Sequence, residues 1–92
     1  MEIVRKYVIF TGRVQGVNFR KTSMTQATKL GLTGWVRNAE DGSVEMEVQG
    51  TEELIDELFE IMKDISPIIT IDSIEETPME VIPDESEFII KY

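Results

Sequence analysis

The chain has 92 residues, with 18 acidic side chains against 9 basic ones, a net charge of −9, and neither cysteine nor histidine. A chain this short builds one core, and 1–92 is read as a single domain. The acidic balance argues against a nucleic-acid partner, whose phosphates need a basic surface. The missing residue types exclude His- and Cys-based metal sites, Ser–His nucleophile pairs, phosphohistidine and thiolate chemistry. No apolar run nears the ~18 residues of a membrane span, and Met1–Lys6 lacks a signal core. A cytoplasmic location is the expectation.

Tyr7-Val8-Ile9-Phe10, within residues 5–13, reads as a first strand rich in β-branched and aromatic residues. Residues 20–30 carry Met24, Ala27 and Leu30 at helical spacing, and Gly31 fits the stop. Residues 32–38 form a second strand, followed by the turn signal Asp41-Gly42. Val44, Met46 and Val48 alternate with Glu45, Glu47 and Gln49, predicting a third strand with one buried face. Thr51 caps a second helix with Glu52 and Glu53 in its first turn, and Leu54, Ile55, Leu58, Phe59 and Met62 form its apolar stripe. Pro67 follows, then a strand over Ile68–Ile74 and a short one at Phe88-Ile89-Ile90.

That order, βαββαβ plus a short C-terminal strand, predicts an α+β fold: the ferredoxin-like split β-α-β sandwich, an antiparallel sheet with two helices on one face. In it, the first and second strands are parallel, with the third between them. The ends of the first and second strands therefore fall on the same edge of the sheet. Residues after position 13 and residues near position 38 can meet there.

At that edge stands Gly12-Arg13-Val14-Gln15-Gly16-Val17-Asn18-Phe19-Arg20. A glycine-bearing loop between a strand and a helix leaves backbone N–H groups unpaired, and the helix dipole adds positive potential. Five of the nine Lys and Arg residues fall within residues 5–21, as expected for a local anion site on an acidic chain. Arg20 sits where a cation opposes the dipole, which points to an anionic ligand; its planar fork matches phosphate oxygens. Asn38, at a strand end before a turn, is most simply a local turn-former. Its carboxamide both accepts and donates, however, so it can hold a water molecule beside a bound phosphate.

Without histidine or cysteine, a reaction that runs on positioning and charge stabilisation fits best, and phosphoryl transfer is one. It needs a leaving group that departs unprotonated. A carboxylate, with a pKa near ~4, does so, which points to a mixed carboxylic–phosphoric anhydride.

The stretch Gly12–Arg20, with Gly34-Trp35-Val36-Arg37-Asn38 and Asp41-Gly42-Ser43-Val44-Glu45, closely resembles the acylphosphatase signatures along essentially the whole chain. The resemblance implies hydrolysis of small acyl phosphates without metal or cofactor. It makes Arg20 the phosphate-binding arginine and Asn38 the water-orienting asparagine, with the backbone N–H groups of Gln15, Gly16, Val17, Asn18 and Phe19 as the phosphate cradle. The family usually has glycine where this chain has Asn18; asparagine is the non-glycine residue that best tolerates positive φ. A monomer is expected from size and charge. Two other readings stand beside the enzyme: a phosphate-holding module with poor turnover, and a ferredoxin-like regulatory or RNA-binding domain, which the charge disfavours. The acidic C-terminal residues Glu75, Glu76, Glu80, Asp84, Glu85 and Glu87 read as a solvated face.

Overall fold

The computed structural model describes residues 2–92. Its elements run β1 (Ile3–Arg13), α1 (Phe19–Lys29), β2 (Thr33–Asn38), β3 (Val44–Thr51), α2 (Glu52–Asp64), β4 (Thr70–Met79) and β5 (Phe88–Ile90). The strands form one sheet in the order β4-β1-β3-β2-β5. β3 pairs antiparallel with both β1 and β2, so β1 and β2 run parallel on either side of it. This is the ferredoxin-like α+β arrangement. The four long strands are antiparallel to their neighbours, but β5 lies parallel to β2, which makes the sheet mixed.

The core fills the layer between one sheet face and the helices. Val8 and Phe10 of β1 and Val44, Met46 and Val48 of β3 point inward at period two. Ile55, Leu58, Phe59 and Met62 of α2 cover them, and the Phe10 ring meets Phe19 at 5.0 Å and Phe59 edge-on at 5.6 Å. Thr51 accepts the Leu54 N–H at 3.3 Å, capping α2 as its sequence predicts. At the other end of α1, Gly31 takes φ 73, which lets its N–H reach Thr28 O at 3.1 Å and the Leu32 N–H reach Ala27 O at 2.9 Å. The paired bonds close the last turn of α1 and send the chain into β2.

Two expectations are corrected. The buried face of α1 is Phe19, Ser23 and Ala27, with Met24 and Leu30 only flanking it. Ala27 is buried as expected, but Ser23 does not register as apolar periodicity; its small side chain lets α1 approach α2, where its hydroxyl meets Met62 Sδ at 3.9 Å. The fourth strand is Thr70–Met79, not Ile68–Ile74. Ile68 and Ile69 belong to the preceding turn, and the strand continues through Glu75, Glu76 and Pro78 because it is an edge, bonded only to β1. Edge positions tolerate proline and charge that a central strand would reject.

Candidate active site

The loop between β1 and α1 is held by its own apolar residues. Val14, Val17 and Phe19 are buried, whereas Gly16 and Asn18 between them are exposed. Three buried anchors thus hold a bend whose Gly16 and Asn18 stay exposed. The bend needs positive φ twice, at Gly16 (φ 73) and Asn18 (φ 66), and Asn18 adopts the conformation that glycine takes most readily.

Asn18 is also the residue before α1, but its side chain makes no capping bond. The first intrahelical bond runs from Thr22 N–H to Asn18 O at 3.0 Å. The N–H groups of Phe19, Arg20 and Lys21 precede it, and among the described residues no protein acceptor pairs with them or with those of residues 15–18. There is no acidic residue in the first turn of α1. A row of free donors at the positive end of a helix is a local environment that suits an anion.

Arg20 and Asn38 line the same cleft of about 540 Å³, together with Gly16, Val17, Asn18 and Phe19. Arg20 arrives on the first turn of α1 and Asn38 at the end of β2, the two points that the parallel relation of β1 and β2 puts on one edge. Among the described residues Arg20 forms no ion pair with any of the abundant carboxylates, and its guanidinium carbon lies 5.0 Å from the centre of the Tyr92 ring. Lys21 also lines the cleft.

The basic cluster at residues 5–21 divides in space. Arg5 and Lys6 lie at the start of β1, away from the loop, and are engaged by Glu47, Glu85, Glu52 and Glu76. Only Arg20 and Lys21 of that cluster reach the cleft. The same pairs correct the reading of the acidic C-terminal residues: Glu76 and Glu85 are ion-paired, so they are not merely solvated.

Gln15 does more than lend an amide to the loop. Its Nε2 donates to Ala39 O at 2.7 Å and Ser43 O at 2.9 Å, tying the loop to the turn that follows Asn38. That turn is set by Asp41, whose carboxylate accepts from Ser43 Oγ at 2.6 Å and Ser43 N–H at 3.0 Å; these bonds hold its pKa below the usual carboxylate value. The amino-acid sequence distinguishes Gln15 from its loop neighbours by nothing, because its side-chain partners are carbonyls that no residue pattern marks. Gln15→Ala should cost about 1–2 kcal/mol, since each carbonyl keeps a second donor, Gly42 N–H on Ala39 O and Ala39 N–H on Ser43 O. It should also lower turnover about tenfold by loosening the loop relative to Asn38. Urea unfolding and steady-state kinetics on one preparation check both, and unchanged turnover refutes the positioning role.

Comparison with known proteins establishes the family. The family model for acylphosphatase matches residues 6–90. This chain belongs to the acylphosphatase family. It is 46% identical over 90 residues to the acylphosphatase of Caldivirga maquilingensis, covering 97% of this chain and 95% of that one. It is 53% identical over 58 residues to the acylphosphatase of Bifidobacterium longum, a stretch that is 63% of this chain and 60% of that protein. The crystal structure of acylphosphatase from Bacillus subtilis superposes with a TM-score of 0.88 at 35% identity, covering 97% of this chain and 99% of that one. As an acylphosphatase-family member the chain is an enzyme, an acylphosphate phosphohydrolase.

Proposed function

We propose that this single-domain protein, residues 1–92, hydrolyses the carboxyl–phosphate bond of small acyl phosphates in the cleft between the β1–α1 loop and the end of β2. The observation that carries the reading is the convergence there of unpaired loop amides, an arginine without an ion pair, and Asn38. The backbone N–H groups of Gln15 to Phe19 take the phosphate oxygens, and Arg20 supplies the permanent positive charge. Asn38 accepts a hydrogen bond from a water molecule and aims its oxygen at phosphorus, in line with the carboxyl leaving group. The new P–O bond forms as the P–O bond to the acyl group breaks. The electron pair leaves with the carboxylate, and the water proton passes to a phosphate oxygen.

No side chain has to act as an acid or base in this scheme, in keeping with a chain that lacks histidine and cysteine. The reading takes the protein as a cytoplasmic monomer, with no nucleic acid or membrane as partner and no cofactor or metal. In the described residues no helix is long and apolar enough to cross a membrane.

Acetyl phosphate and benzoyl phosphate test the activity directly. Asn38→Ala tests the division of labour: it should lower kcat by about 10²–10³, by analogy with a lost oxyanion donor. Inorganic phosphate should still inhibit it at the wild-type concentration. Loss of phosphate affinity in parallel with kcat would assign Asn38 to phosphate binding instead.

A further inference from the structure

We propose that the cleft carries an apolar shelf for the acyl group, centred on Ile68, and that the enzyme therefore prefers acyl phosphates with a branched or aromatic acyl group to acetyl phosphate. The proposal rests on the hydrolytic reading above and assigns the part of the cleft that the phosphate does not use. A space of about 540 Å³ falls in the range of sites that take whole small molecules, well beyond a single phosphate group. Its lining is of two kinds: the loop with Arg20, Lys21 and Asn38, and the apolar surfaces of Ile68, Ile90 and Tyr92.

Ile68 is the informative residue. It is 50% exposed, whereas its neighbour Ile69 is buried at 5% and supplies the apolar anchor that the turn between α2 and β4 requires. Ile68 is thus not the turn's apolar anchor, and its exposed side chain is available to the cleft that it lines. The turn is fixed rather than loose: Ser66 accepts the Ile68 N–H at Oγ (3.4 Å) and the Ile69 N–H at its carbonyl (3.3 Å), and Pro67 stiffens it. Ile90 reaches the cleft from β5, packed partly against the core, and the Tyr92 ring lies over Arg20. With the phosphate held by the loop and Arg20, the rest of the same cleft is the surface next to the acyl group. There a larger apolar acyl group displaces more water from these surfaces than an acetyl group, which offers less apolar area.

Such a contact is the same in ground and transition states, so it acts on KM and leaves kcat nearly unchanged. Ile68→Ser should raise the KM for benzoyl phosphate about five- to twentyfold. The constants for acetyl phosphate should stay within about twofold, and Ile68→Val should recover most of the benzoyl phosphate affinity. Equal changes for both substrates, or none for either, overturn the shelf while leaving the hydrolytic reading intact. Failure of the unmodified enzyme to turn over either substrate overturns both.

Discussion

Arg20→Ala is expected to lower kcat/KM for acetyl phosphate by about 10²–10³, equivalent to ~2.7–4 kcal/mol of transition-state stabilisation. In the proposed mechanism the loop amides remain to hold the phosphate; the loss is that of the one permanent charge with a fork of donors. Arg20→Lys keeps the charge and loses the fork, and should fall between the two. The folded state should respond in the opposite sense. Arg20 stands in the first turn of α1, with no acidic neighbour in that turn and no ion pair among the described residues, so its charge works against the helix dipole. Removing it should raise stability by about 0.3–1 kcal/mol. Kinetics and thermal unfolding on the same variant check the pair of effects. A variant that is slower and also less stable would mean that Arg20 serves the fold, and a loss under tenfold would remove it from the mechanism.

The same conflict makes Arg20 legible in the amino-acid sequence itself. A local rule is broken at that position, and such breaks collect at functional sites. Strand and helix positions follow from the sequence where periodicity is strong, as in β3 and α2. Topology then places Asn38 beside the loop, because parallel β1 and β2 must end on one edge. The signal fails where contacts are non-local or unpatterned. Ser23 hides part of the buried face of α1, and acidic edge residues hide the reach of β4. The amide ties of Gln15 end on carbonyls, which any residue provides. The apolar lining from Ile68, Ile90 and Tyr92 comes from a turn, an edge strand and the residues after it, and only the folded chain assembles it.

Arg5 is the clearest case of a residue that sequence could not place, and it carries the second large effect. It is 2% exposed, on the sheet face away from the helices, and 80 positions separate it from its bidentate partner Glu85. Its Nη1 and Nη2 donate to the two Glu85 oxygens at 2.7 and 3.2 Å, its Nε to Glu47 at 2.9 Å, and Nη1 also to Gln49 at 3.1 Å. Burial alone would lower its pKa, but the hydrogen bonds to Glu85 and Glu47 outweigh that and raise it above its ordinary value. Gln49 in turn accepts the Ile82 N–H at 2.8 Å and donates to Ile82 O at 2.9 Å. The residues joining β4 to β5 are therefore held largely through one guanidinium and one carboxamide, and they lead to Ile90 and Tyr92 at the cleft.

Arg5→Met should destabilise the protein by about 2–4 kcal/mol. This is below the most severe losses of a buried partner because Glu47 and Glu85 keep 17% and 18% side-chain exposure and can draw on solvent. Adding Glu47→Gln and Glu85→Gln should return part of the loss, since the uncompensated charges go with the arginine. Urea unfolding of the single and triple variants checks this, and a loss under about 1 kcal/mol for Arg5→Met would show the network to be dispensable. Well below the unfolding transition, Arg5→Met should also speed amide exchange at β5 before it does so in β1 or β3, because β5 is the short strand at the end of the segment that Arg5 ties down. Uniform acceleration across the sheet would mean that Arg5 supports the whole core and not that segment.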